Sequence, residues 1–183
     1  FWMDRNIPVS GIDLDPTNPT FGEFESLPVE RINLLNDAGQ IDTQKFAVFS
    51  EKLLNYPNET EIIVDCGASA YIPTTQFLEQ MQFIDWAKSF NKTVYIHTIL
   101  KGGGELLDTM LSCSDLFERF QDCKFIIWLN ESKQPVLFKE KSFVDGPFYK
   151  KNQKRILDVI PLPEYTSGFF KGDIDKMIEQ RLT

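Results

Sequence analysis

Three aspartates and an asparagine stand where short apolar runs of this 183-residue chain end. Asp13 and Asp15 follow Val9-Ser10-Gly11-Ile12, Asp65 closes Thr60-Glu61-Ile62-Ile63-Val64, and Asn130 closes Lys124-Phe125-Ile126-Ile127-Trp128-Leu129. Carboxylates gathered in this way suit a hard cation such as magnesium, which takes oxygen ligands and keeps several waters. In an open parallel sheet, ligands bind beyond the carboxyl ends of the strands. The expectation is therefore that Asp13, Asp15 and Asp65 converge around one hydrated ion, with Asn130 on the same crevice. A single acid at a strand end also serves simply to carry the chain into water, so the conjunction carries the argument.

The elements that must position these residues can be read from periodicity. Five runs read as strands: Val9–Asp13, Thr60–Asp65, Thr93–Ile99, Lys124–Asn130 and Ile156–Ile160. They are β-branched and nearly continuous in apolar residues, which predicts burial on both faces. Helical spacing fills the gaps. Phe46, Phe49 and Leu53 form one stripe. Phe77, Leu78, Met81 and Ile84 form a second, widened by Phe83, Trp86 and Phe90. Leu106, Leu107, Met110, Leu111, Phe117 and Phe120 form a third, and Ile174, Met177, Ile178 and Leu182 a fourth. Alternating strands and helices predict an α/β fold: three layers, a mostly parallel sheet and helices on both faces. The stretch from Ser132 to Arg155 reads as turns with one short helix ending near Lys150 and Lys151. No repeat or long linker divides the chain, so residues 1–183 are expected to form one domain.

Composition narrows the functional classes. Nineteen basic against twenty-seven acidic residues give a net charge of −8 and a pI near 4.7, which argues against a broad nucleic-acid-binding face. No apolar run is long enough to span a membrane. Three cysteines with no close spacing and one histidine argue against a disulfide framework or a structural zinc site and make a reducing cytoplasm the simplest compartment.

The motifs resemble a known family. Gly11-Ile12-Asp13-Leu14-Asp15-Pro16-Thr17-Asn18-Pro19-Thr20-Phe21 resembles the first switch of ParA/MinD-type P-loop ATPases, and Ile63-Val64-Asp65-Cys66-Gly67-Ala68-Ser69 resembles their Walker B strand and second switch. Four stretches resemble TraL-type conjugal-transfer proteins, a plasmid-borne branch of that superfamily: the D-x-G-A-S segment, Ile96-His97-Thr98 with Gly102-Gly103 and Leu106-Leu107-Asp108-Thr109, Trp128-Leu129-Asn130, and the ending Ile178-Glu179-Gln180-Arg181-Leu182-Thr183. The resemblance implies ATP and magnesium as cofactors, a nucleotide-dependent homodimer, and conjugation or partition proteins as partners. It implies that Asp15 orients the attacking water, that Asp13 stands beside the magnesium shell, and that Asp65 holds a metal-bound water. Gly67 would offer a backbone N–H to the γ-phosphate and Asn130 would meet the adenine edge. Catalysis of this kind is mostly positioning and charge neutralisation.

One departure is large. The family's phosphate-wrapping K-G-G-x-x-G-K-[ST] loop does not occur in the sequence. Lys101-Gly102-Gly103-Gly104 lacks the following Lys-Ser or Lys-Thr and reads as a tight strand-to-helix turn. The opening residues read as the tail of a helix, so the expectation is a protein whose first strand and P-loop lie outside this chain. Residues 1–183 alone are then expected to bind nucleotide poorly or not at all. In P-loop folds the first strand is internal, and its absence predicts two strands with unpaired edges and a marginally stable fragment.

Other readings compete. Asp13-Leu14-Asp15-Pro16-Thr17 matches the D-x-D-x-T signature of haloacid-dehalogenase-type phosphohydrolases, with Asp13 as nucleophile and Thr98 imitating a second motif. That family's last acids should follow an apolar strand, whereas Asp173 and Asp175 follow Phe169-Phe170-Lys171-Gly172. A non-catalytic interaction scaffold is the third possibility. His97 reads as a core or near-core residue with a local hydrogen bond, and the helical Phe and Trp residues read as core. Cys66 reads as an inert thiol beside a carboxylate, and Lys150, Lys151, Lys154 and Arg155 as a solvated face.

Overall fold

A computed structural model describes residues 6–25 and 27–164, together with Gly172 and Lys176. The fourth apolar stripe, Ile174 to Leu182, and Asp173 and Asp175 lie outside the described residues. The α/β class follows the sequence: parallel strands alternate with helices that flank them. The described chain groups into two units, residues 6–92 and 93–164.

In the first unit, β1 (Val9–Asp13) lies between β2 (Val29–Arg31) and β3 (Glu61–Asp65), all parallel. The β1–β3 register runs from Val9 opposite Glu61 to Asp13 opposite Asp65. Between β2 and β3 runs α1 (Thr43–Asn55), opened by Asp42, whose carboxylate accepts hydrogen bonds from the Gln44 and Lys45 amides. After β3 come α2 (Ala68–Gln80) and α3 (Phe83–Ser89). The single stripe from Phe77 to Phe90 is thus broken, because Gln82 takes a left-handed backbone conformation (φ 49°) that ends one helix and starts the next. The Phe46 ring packs against Phe49, Phe77 and Phe83, and Ile12, Leu14 and Leu34 are also buried in this unit. Trp86 and Phe90, expected inside, are exposed and stack edge-on against each other.

In the second unit, β5 (Lys124–Glu131) lies between β4 (Tyr95–Lys101) and β8 (Ile156–Pro163), again all parallel. Between β4 and β5 runs α4 (Leu106–Arg119). The ambiguous stretch before β8 resolves into a small antiparallel hairpin, β6 (Leu137–Phe138) and β7 (Lys141–Ser142), and the short helix α5 (Pro147–Asn152). Phe125 and Ile127 on β5 are fully buried, and the Phe117 ring of α4 stacks on Phe125 at 3.8 Å.

Strand positions agree closely with the sequence, but burial does not agree everywhere. On β3, Ile63 and Val64 are 38% and 40% exposed, and Tyr95 and Ile99 on β4 and Leu157 on β8 are more exposed still, so the expectation of strands covered on both faces is corrected for these three. β3 is an edge strand of the first sheet and β4 an edge strand of the second. β2 escaped the sequence reading because three residues, Val29-Glu30-Arg31, are too short for a period to register.

Candidate functional site

The β1–β3 pairing brings the acids together. Asp13 and Asp65 are register partners on adjacent parallel strands, and Asp15 lies two residues beyond Asp13. Leu14 continues the ladder by donating its amide to the Asp65 carbonyl at 2.8 Å. Partial loss of water raises the Asp65 pKa, and the nearby Asp13 and Asp15 charges raise it further against an opposing hydrogen bond from the Cys66 amide.

The three carboxylates have different surroundings. Asp13 is 1% exposed, and both of its oxygens are occupied. Oδ1 accepts from the Asp15 amide at 2.9 Å and Oδ2 from the Gly22 amide at 2.8 Å. Asp13 thereby closes the loop between β1 and the short 3-10 turn Phe21–Glu23. This burial disfavours the dehalogenase-like reading, which needs an Asp13 oxygen free to attack phosphorus. Asp15 faces solvent more openly. Its Oδ1 accepts from the Thr17 amide at 2.9 Å, the Asn18 amide at 3.1 Å and the Ser69 hydroxyl at 3.4 Å. The carboxylate lies over Gly67, the residue that caps α2 without a side chain; a Cβ there would come 1.9 Å from Asp15 Oδ2. Glycine is required at 67 by this close approach, and the helix dipole favours the negative charge.

Among the described residues, no group of three or more His, Cys, Asp or Glu side chains is arranged to hold a metal ion directly. With both Asp13 oxygens bonded to backbone amides, Asp15 and Asp65 are the carboxylates of the three that a cation could reach. Cys66 sits beside these charges, and burial above all pushes its thiol up to about 11, which disfavours the thiolate at neutral pH.

Asn130 belongs to the second unit. Its side-chain oxygen accepts from the Ser132 hydroxyl at 2.7 Å and the Ser132 amide at 3.2 Å, and its carbonyl accepts from the Gly102 amide at 3.1 Å. The Gly102-Gly103-Gly104 stretch is the tight turn expected. A Cβ on Gly102 would lie 1.8 Å from the Gln134 carbonyl oxygen, and Gly103 has φ +82°. His97 lies exposed on β4 rather than in the core; its Nδ1 accepts from Trp128 Nε1 at 3.1 Å, and the two rings stack. Partial burial lowers its pKa.

Comparison with known proteins bears on the family. The chain is 30% identical over 183 residues to a Protein TraL of Escherichia coli, an alignment covering 99% of this chain and 74% of that protein. This chain belongs to the TraL family. A second Protein TraL of Escherichia coli is 30% identical over 173 residues, covering 94% of this chain and 70% of that protein. No protein-family model matches the chain, and no solved structure matches it. Two partners of this TraL-family site carried no role in the sequence reading, Thr17 and Ser69. The Asp-Pro-Thr sequence at 15–17 is a local turn signal that points to Thr17, whereas Ser69 becomes visible only when β1 and β3 are paired. Among the described residues, no helix is long and apolar enough to cross a membrane.

Proposed function

We propose that this TraL-family chain serves conjugative plasmid transfer or partition as the switch portion of a nucleotide-dependent ATPase of the ParA/MinD type. The observation that carries the reading is the clustering of Asp13, Asp15 and Asp65 at the ends of two paired parallel strands, with Asp15 laid over the head of α2. The reading requires a phosphate-binding loop, a motif that residues 1–183 do not contain. When bound, ATP and magnesium supply the phosphoryl group and its charge neutralisation. Asp65 would hold a metal-bound water, Asp13 would keep the first loop closed, and Asp15 would orient the attacking water. The Gly67 backbone N–H would face the γ-phosphate. Loops tied to strand ends in this way would read the nucleotide state out to a second copy or to transfer proteins.

The test is magnesium-dependent ATP hydrolysis by the full-length protein and its Asp15→Ala variant. The reading expects Asp15→Ala to abolish turnover while ATP still binds. Unchanged turnover in that variant, or no hydrolysis by the unaltered protein, would sink it.

A further inference from the structure

Asp15 and Ser69 are 54 residues apart in sequence, yet they join two loops that leave adjacent strands. The Ser69 hydroxyl, in the first turn of α2, donates to Asp15 Oδ1 at 3.4 Å and accepts from the Thr17 hydroxyl at 3.3 Å. The same Asp15 oxygen receives the Thr17 and Asn18 amides. On the other side, the bare Cα of Gly67 leaves room for Asp15 Oδ2. The carboxylate is thus held between a small residue, which sets how closely it approaches α2, and a hydroxyl, which sets its rotation. An acid on a free loop would sample many rotamers, whereas this one is tied from both strands.

We propose that Ser69 is a positioning residue: its hydroxyl fixes the orientation of the Asp15 carboxylate and so couples the β1 loop to the head of α2. Its catalytic consequence rests on the ATPase reading above, but the coupling itself does not. Both loops would move together, because releasing the hydroxyl frees Asp15, Thr17 and Asn18 at once.

The coupling is tested on the full-length protein by amide hydrogen exchange at Thr17 and Asn18 in the unaltered protein, Ser69→Ala, Ser69→Thr, Asp15→Asn and Asp15→Asn/Ser69→Ala. Loss of one hydrogen bond should speed exchange at both amides about fivefold in Ser69→Ala. Ser69→Thr should restore it, and the double variant should exchange no faster than Asp15→Asn alone. The Leu14 amide, in the β1–β3 ladder, should stay unchanged as a control for global loosening. Unaltered exchange in Ser69→Ala, or effects that simply multiply in the double variant, would overturn the proposal. In the full-length protein, Ser69→Ala should lower kcat for ATP hydrolysis at constant KM, with recovery in Ser69→Thr; an unchanged kcat would overturn the positioning role. Absence of hydrolysis in the unaltered protein would end the ATPase reading instead, and the exchange rates would still decide whether Ser69 holds Asp15.

Discussion

The central strand of the second sheet and the edge strand of the first carry similar apolar sequences and hold them in opposite ways. In the second, Phe125 and Ile127 of β5 are sealed from water beneath α4, and Arg155 closes the helix end. Its guanidinium donates to the Phe117 carbonyl at 3.0 Å and the Phe120 carbonyl at 2.6 Å, and lies 4.8 Å above the Phe117 ring. In the first, the equally apolar run Ile62-Ile63-Val64 is half-exposed, and order at the strand ends comes from carboxylates bonded to backbone amides. The contrast separates two uses of a parallel strand: at the centre of a sheet it is spent on packing, and at the ends of β1 and β3 it carries acids whose bonds to backbone amides order the loops.

Substitutions sharpen the contrast. The largest effect is expected at the sealed strand. Phe125→Ala should cost about 3–5 kcal/mol, whereas Ile63→Ala on β3 should cost well under half of that because water already reaches the site. Urea unfolding of both variants measures the difference, and equal losses would erase the distinction. Next comes Arg155→Met, which keeps the stem over the rings but removes the bonds to the Phe117 and Phe120 carbonyls, leaving Phe120 only the Cys123 amide, for about 1–3 kcal/mol. The same assay reads it, and a loss near zero would return Arg155 to the solvated basic face that its neighbours Lys150, Lys151 and Lys154 suggested. A smaller gain of about 1 kcal/mol is expected from Lys139→Asn with Glu140→Gly. Both residues now hold positive φ, 49° and 65°, in the hairpin turn, where Asn-Gly adopts that geometry without strain. A fall in melting temperature would contradict this.

The smallest effect is a change in pH dependence at the polar sheet. Folding raises the Asp65 pKa above its ordinary value of 3.8, so the folded chain holds that proton at a pH where the unfolded chain has released it. The contribution of this group to stability therefore falls as pH rises from about 3.8 through the raised folded value, and it stays unfavourable above. Asp65→Asn should flatten that part of the stability–pH profile and leave the neutral-pH protein slightly more stable. An unaltered profile would mean that neither burial nor the Asp13 and Asp15 charges raise the Asp65 pKa on folding.

Much of this was legible before any coordinates. The five strands follow from continuous β-branched apolar runs, three helical stripes from spacing at three to four residues, and the turn at 102–104 from its glycines, and all of these signals are local. Asp13, Asp15, Asp65 and Asn130 were visible as strand-end residues for the same reason. The break at Gln82 was not legible, because nothing in a continuous stripe from Phe77 to Phe90 marks a left-handed residue. Arg155 read as part of a basic run because its carbonyl partners lie 35 and 38 residues away.

The sequence by itself determined the class of fold, the places where strands end and which residue types stand there, since these depend on propensity and period along a short stretch of chain. Only the tertiary structure decided what surrounds each of them. Strand pairing and packing join residues distant in sequence, so they alone bury Asp13 against backbone amides, lay Asp15 over Gly67 beside Ser69, seal Phe125 and leave Ile63 open to water.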